Sequence, residues 1–195
     1  MRGSTTRILA RSAVRAALFA LALGLYAASG ALAQAGAPAQ PSDSPLSPGT
    51  PLRLVQPRLG IDAPIVPLGQ TDDGAMAAPS DPDTIGWWSL GADASQEGNV
   101  VLAGHVNWAG RLRVFGRLDQ AVPGDVFYLT DASGTEWGYV VIWKRLYDAQ
   151  SAPLEEIFLP DAPGHQLTLI TCGGRYIPAA REYLDRIIVR AQRIE

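Results

Sequence analysis

The chain is poor in cysteine, lysine and histidine. Cys172 is its only cysteine, so no disulfide can close within the molecule. Lys144 is the single lysine beside fifteen arginines, a bias we ascribe to genome composition rather than chemistry. There is no basic excess either: beyond residue 33 there are 12 basic against 19 acidic residues, a formal charge of −7, which argues against nucleic acid as a partner. Clustered carboxylates of the kind that hold calcium are missing, and "TDDG" (71–74) reads as a turn with solvated aspartates, so no metal and no cofactor is expected. Helical periodicity is scarce, and no internal repeat is evident.

What is present begins at the N-terminus. Arg2, Arg7, Arg11 and Arg15 precede an 18-residue stretch without charge, Ala16 to Ala33, which ends in the small-x-small pattern of Ala31 and Ala33. Residues 1–33 therefore read as a signal peptide cleaved after Ala33, or as an uncleaved membrane anchor, since a spanning helix needs about 20 apolar residues. In either case the arginines stay on the cytoplasmic side and the remainder faces outward, secreted or held at the outer face of the cytoplasmic membrane. Residues 34–50, rich in Pro, Ala and Ser, read as a linker. Residues 51–195 suffice for one core and one domain.

Within that domain, short β-branched and aromatic runs recur between Gly, Pro, Asp and Asn: 99–105, 125–130, 139–147, 166–171 and 186–193. "DASGT" (131–135) predicts a hairpin turn with positive φ at Gly134. Pro57, Pro64 and Pro67 suit edge positions or strand starts. Only 113–118 and 153–158 read as brief helices, the second with Pro153 placed for a first helical turn. Many short strands with few helices predict an all-β sandwich or barrel.

The lone thiol raises a chemical question. A buried small hydrophobe is the ordinary role of a free cysteine. Cys172, however, is expected to end its strand, with Gly173 and Gly174 leaving the backbone beyond it bare of side chains, so that a substrate chain can approach. A nucleophilic cysteine needs a partner that handles its proton, usually histidine. His165 precedes the same strand and would lie about 20 Å away if that strand is extended, which makes it a solvated turn residue. His105 ends another Gly-flanked apolar strand and is the better partner. Acyl transfer also needs an oxyanion stabiliser. Arg186 opens the last strand and would meet Cys172 if the two strands pair as antiparallel neighbours; a surface ion pair with Asp185 or Glu182 is the competing role.

These residues, "LAGH", "LTLITCGG" and the arginine of "RIIVRA", resemble the His–Cys–Arg pattern of the sortases. The blocks "PRLGIDAPIVPLG", "GAMAAPSDPDTIGWW", "GNVVLAGHVNWAGRLRVFGRL", "PGDVFYLTDASGTEW" and "PLEEIF" extend the likeness over nearly the whole domain, most closely to class F and the neighbouring class E. The resemblance implies an eight-stranded β-barrel with short helices. It implies a cysteine transpeptidase that cleaves an LPxTG-like sorting signal between Thr and Gly through a thioester and passes the acyl group to an amine, a cell-wall peptide or a pilin lysine. Cys172 would be the nucleophile, His105 the acid and base, and Arg186 the holder of the oxyanion or substrate backbone. Thr171, Gly173 and Gly174 would shape the groove, and Trp108 would line it, core packing being the commoner use of tryptophan. Membrane contact would come only through an uncleaved N-terminal segment, and the enzyme would be a monomer.

Many class F and E members read "YRDN" where this chain has "YLDR", with Leu184 at their first arginine. Arg186 instead matches the classes in which arginine directly precedes three apolar residues; Arg181 and Arg190 are the alternatives. Other readings of the chain are an L,D-transpeptidase, whose "SHGC"-like run is replaced here by "LITC", a hydrolytic cysteine peptidase, and a non-catalytic surface barrel that binds peptides.

Overall fold

The computed structural model describes residues 46–72 and 74–194. The expected signal or anchor segment and the linker up to residue 45 lie outside the described residues. Among the described residues no helix is long and apolar enough to cross a membrane.

Ten strands follow in chain order: β1 (Pro51–Gln56), β2 (Ile61–Leu68), β3 (Ile85–Trp88), β4 (Gly98–Ala103), β5 (Asn107–Trp108), β6 (Arg111–Leu112), β7 (Val126–Asp131), β8 (Glu136–Asp148), β9 (His165–Ile177) and β10 (Glu182–Arg193). One short helix, α1 (Leu154–Phe158), lies between β8 and β9. Eight of the strands close a barrel in the order β1-β2-β3-β4-β9-β10-β8-β7, and β5 and β6 form a separate small hairpin. This is the expected eight-stranded all-β architecture, and closure gives every strand of the barrel two neighbouring strands.

Alternation along the strands sorts side chains between two apolar clusters. Val100, Leu102, Leu167, Leu169 and Val189 fill the barrel interior. Their neighbours Val101, Ala103, Ile170 and Ile188 point outward into a second cluster, roofed by Met76 of the β2–β3 loop and by Ile157 and Phe158 of α1. β4, β9 and β10 are therefore buried on both faces, which is why "LTLIT" and "RIIV" read as continuous apolar runs with little alternation. Each fully buried aliphatic side chain contributes about 1.5–3 kcal/mol.

Three expectations need correction. β2 carries Pro64 and Pro67 yet lies inside the closed barrel rather than at an edge. It tolerates them because Ile61–Pro64 pairs only with β1 and Ile65–Leu68 only with β3, so each proline faces a single partner strand. Residues 113–118 form turns rather than a helix: the bonds run from the Gly116, Leu118 and Gln120 N–H groups to the carbonyls three residues earlier, and a 3-10 turn closes at Leu118–Gln120. Gly116 is the reason, since it weakens a helix and its bare α-carbon lets the turn fold onto Leu112 and Arg113. Lastly, β9 does not stop at Cys172 but runs through both glycines to Ile177.

Candidate active site

The continuation of β9 determines where the thiol stands. β4 accompanies β9 only as far as the pair Ala103–Ile170, whereas β10 follows it further, with Arg186 opposite Cys172 and Asp185 opposite Gly173. Cys172 is thus flanked by a strand on one side and released from β4 on the other. It is half-buried and faces outward, in step with Ile170.

Between Asp185 and Tyr183 the ladder slips by one residue, and Gly174 takes up the extra residue at φ 67°. Asp185 closes this bulge: its carboxylate accepts the Arg175 backbone N–H at 2.8 Å and the Arg175 guanidinium at 2.6 Å. A Cβ on Gly174 would stand 2.5 Å from that carboxylate, and one on Gly173 would stand 2.3 Å from Ile187 Cδ1. Both glycines therefore serve the sheet's own packing, a requirement separate from any substrate.

Arg186 does not open the last strand, which starts at Glu182, but its register against Cys172 is the expected one. Directly opposed residues of an antiparallel pair share a face, with Cβ atoms about 4.5–5.5 Å apart. The arginine is only 4% exposed and is no surface ion-pair partner. Asp185 belongs to Arg175, and Arg186 Nη1 instead donates to the carbonyls of Tyr183 (2.9 Å) and Asp185 (3.0 Å). Its Nε and Nη2 have no protein acceptor among the described residues and are not sealed from solvent.

The alternative arginines lie elsewhere. Arg190 is fully buried further along β10, opposite Thr168, and its guanidinium holds the carbonyls of Glu156, Ile157 and Leu159 and the Gln166 side chain. Asp161 lies 3.6 Å from it. Arg190 thus anchors α1 to the barrel. Arg181, exposed at φ 53°, sits in the turn between β9 and β10.

His105 follows β4, and the register offset that pairs Ala103 with Ile170 sets it level with Cys172. Gly104 extends that register, donating its N–H to Ile170 O at 3.1 Å and accepting the Thr171 hydroxyl at 2.8 Å. Thr171 is 1% exposed, so its contact is with the histidine's backbone support and not with solvent. His105 is 6% exposed. Its Nε2 lies 2.9 Å from the carbonyl oxygen of Pro79. A carbonyl only accepts, so Nε2 carries a proton. Nδ1 has no hydrogen-bond partner and keeps contact with solvent. Trp108 packs edge-to-face on the ring at 5.1 Å while remaining 37% exposed, so it stands at the site's rim rather than in the core. Asn107 beside it donates to the Tyr183 hydroxyl at 3.0 Å, tying the β5–β6 hairpin to β10.

Burial pushes the Cys172 thiol above its usual value; Arg186 opposes this, and Glu182 adds to it. The resting sulfur is therefore a thiol in which one nearby cation favours the thiolate and one nearby carboxylate disfavours it. His165 heads β9 at the far end of the strand, as its spacing predicted, but it is not a solvated turn residue: it pairs with Gly98, and its Nδ1 is buried without a partner. Among the described residues no three His, Cys, Asp or Glu side chains come together as a metal site.

Sequence reading missed Pro79 and Asp185. The first acts through its backbone carbonyl, which leaves no trace in residue type, and the second closes a bulge that the glycine pair alone does not specify.

Residues 54–194 match the family model described as Sortase domain. No curated protein sequence matches the chain. Among solved structures it is similar to sortase A from Corynebacterium diphtheriae (TM-score 0.57, 22% identity, covering 75% of this chain and 61% of that one). It is also similar to sortase C1 of GBS Pilus Island 1 (0.54, 22%, 74% and 64%) and to sortase C-1 from Actinomyces oris (0.56, 23%, 74% and 71%). The chain thus spans about two thirds of the length of the structures it matches.

Proposed function

Because the chain belongs to the sortase family, we propose that it is a cysteine transpeptidase in which Cys172, His105 and Arg186 form the catalytic set. The observation that carries this reading is the cross-strand pairing of Cys172 with an arginine whose Nε and Nη2 remain free, beside a histidine at matching register.

The thiol proton passes to His105 as the sulfur attacks the carbonyl carbon of the scissile Thr–Gly bond in an LPxTG-like sorting signal. The free Arg186 donors stabilise the oxyanion, and a fixed cation in a partly dry site is worth several kcal/mol there. When the C–N bond breaks, His105 returns the proton to the leaving amine, and the acyl group stays on sulfur as a thioester. An incoming amine then attacks the thioester, His105 takes its proton, and the thiolate leaves. Thr171 supports His105 through Gly104 O, and Trp108 bounds the groove beside the ring. The order of sequence blocks supports placement near class F and class E, and the N-terminal arginines with their apolar segment support an extracytoplasmic site of action.

The test is an intact-mass assay on the full chain in detergent with an LPxTG-type peptide, with and without triglycine. The expected result is an adduct lost in Cys172→Ala and converted to ligated peptide by the amine. No adduct across a panel of motifs, while iodoacetamide still labels Cys172, would favour a peptide-binding barrel.

A further inference from the structure

Pro79 belongs to the β2–β3 loop, far in sequence from the residues that carry the chemistry, and its carbonyl lies on the histidine. The loop is not a slack connection. Thr71 and Ala75 close a turn at its start, Met76 is buried in the outer cluster, and Pro79 itself is buried. Beyond Pro79, the Asp81 carboxylate accepts the Asp83 N–H at 3.0 Å and the Asp81 carbonyl accepts the Thr84 N–H at 3.2 Å, with Pro82 between them. This compact turn presents Asp83 to Arg113, whose Nη1 lies 3.0 Å from the carboxylate. Arg113 in turn belongs to the segment that leaves the histidine: its N–H donates to Val106 O, and the Phe115 N–H donates to His105 O.

Two tethers therefore join the same pair of segments. One is the Asp83–Arg113 ion pair at the rim, and the other is the Pro79 carbonyl on His105 Nε2. We infer that the β2–β3 loop, locked by Asp83 and Arg113, is a positioning device that fixes His105 as the Nε2–H tautomer and leaves Nδ1 to carry the proton. A histidine's working nitrogen is decided by the bond its other nitrogen makes. Here that bond goes to a backbone carbonyl that no side-chain substitution can remove, so the adjustable element is the tether that holds the carbonyl in place. Asp83 and Arg113 act through His105 and touch no reacting atom.

This inference rests on the transpeptidase reading for its kinetic consequence but not for its geometric one. Two-bond 15N correlation spectra of the full chain, with His165→Gln used for assignment, report the tautomer at alkaline pH, where an imidazole is neutral. The expected spectrum shows His105 Nε2 protonated and Nδ1 bare; a bare Nε2 would overturn the inference. In Asp83→Asn the two tautomers should mix. An exposed ion pair is a modest restraint, so kcat for peptide transfer should fall about two- to five-fold with KM unchanged. Asp83→Glu should restore both readouts. Asp83 is exposed and its loss does not threaten folding, which a thermal melt verifies. An unchanged tautomer and kcat in Asp83→Asn and Arg113→Gln, or a rise in KM alone, would mean that the loop is only a wall of the groove. If the native chain shows the Nε2–H tautomer but transfers nothing, the positioning stands and the transpeptidase reading fails.

Discussion

Cys172 and Arg186 are direct cross-strand partners on β9 and β10, and no carboxylate among the described residues draws the arginine away. The neighbouring Asp185 is occupied by Arg175, so the charge of Arg186 stays with the sulfur. Pairing chemistry, not proximity alone, separates this arginine from the others in the chain.

Arg186→Gln should lower acyl transfer about 10²–10³-fold, the usual cost of losing an oxyanion donor. It should also move the midpoint of iodoacetamide labelling of Cys172 to higher pH, because Arg186 is what opposes the upward push of burial. Labelling at an unchanged midpoint would place the arginine out of reach of the thiol.

Glu182→Gln should move the same midpoint in the opposite direction, since this carboxylate raises the thiol. The two substitutions carry opposite signs at one reporter atom, and a shift of the same sign in both would contradict the opposed influences of Arg186 and Glu182 on the thiol.

Arg190→Met should act on stability instead. Its guanidinium satisfies the carbonyls around α1, and orphaning buried acceptors costs about 1–3 kcal/mol. Chemical denaturation should show that loss, while labelling of Cys172 in the folded variant proceeds at the native rate.

Acid should weaken the bulge behind the thiol. Arg175 pulls the Asp185 carboxyl from its ordinary 3.8 to about 2, so the pair's contribution is complete above the ordinary carboxylate range and is lost as pH falls toward 2. Asp185→Asn should therefore flatten the decline in melting temperature between about pH 4 and pH 2.

The strands β4, β9 and β10 were legible in the sequence because both-face burial writes itself as apolar runs, whereas closure of eight strands into a barrel came from the family resemblance and not from the runs. Cys172 and His105 were singled out in the sequence because each follows an apolar run and is flanked by glycine. The end of β9 was not legible, since a bulge with glycine in the left-handed region continues a ladder where the glycine pair predicts a break. The 113–118 segment misled for a related reason: apolar spacing suggested a helix, and Gly116 turned it into successive three-residue turns. Pro79 left no mark because its function is that of any carbonyl.

The order of strands around the barrel also has a kinetic consequence. Cys172 lies on β9 between two unlike neighbours: β10 follows it directly after a short turn and brings Arg186 from nearby in the chain, whereas β4 brings His105 from a distant segment. The second contact forms the more slowly, because a long loop must close before the contacts that reward it. During refolding the sulfur therefore gains its cation with the β9–β10 hairpin and its imidazole only when β4 docks, so competence waits for the later of the two events.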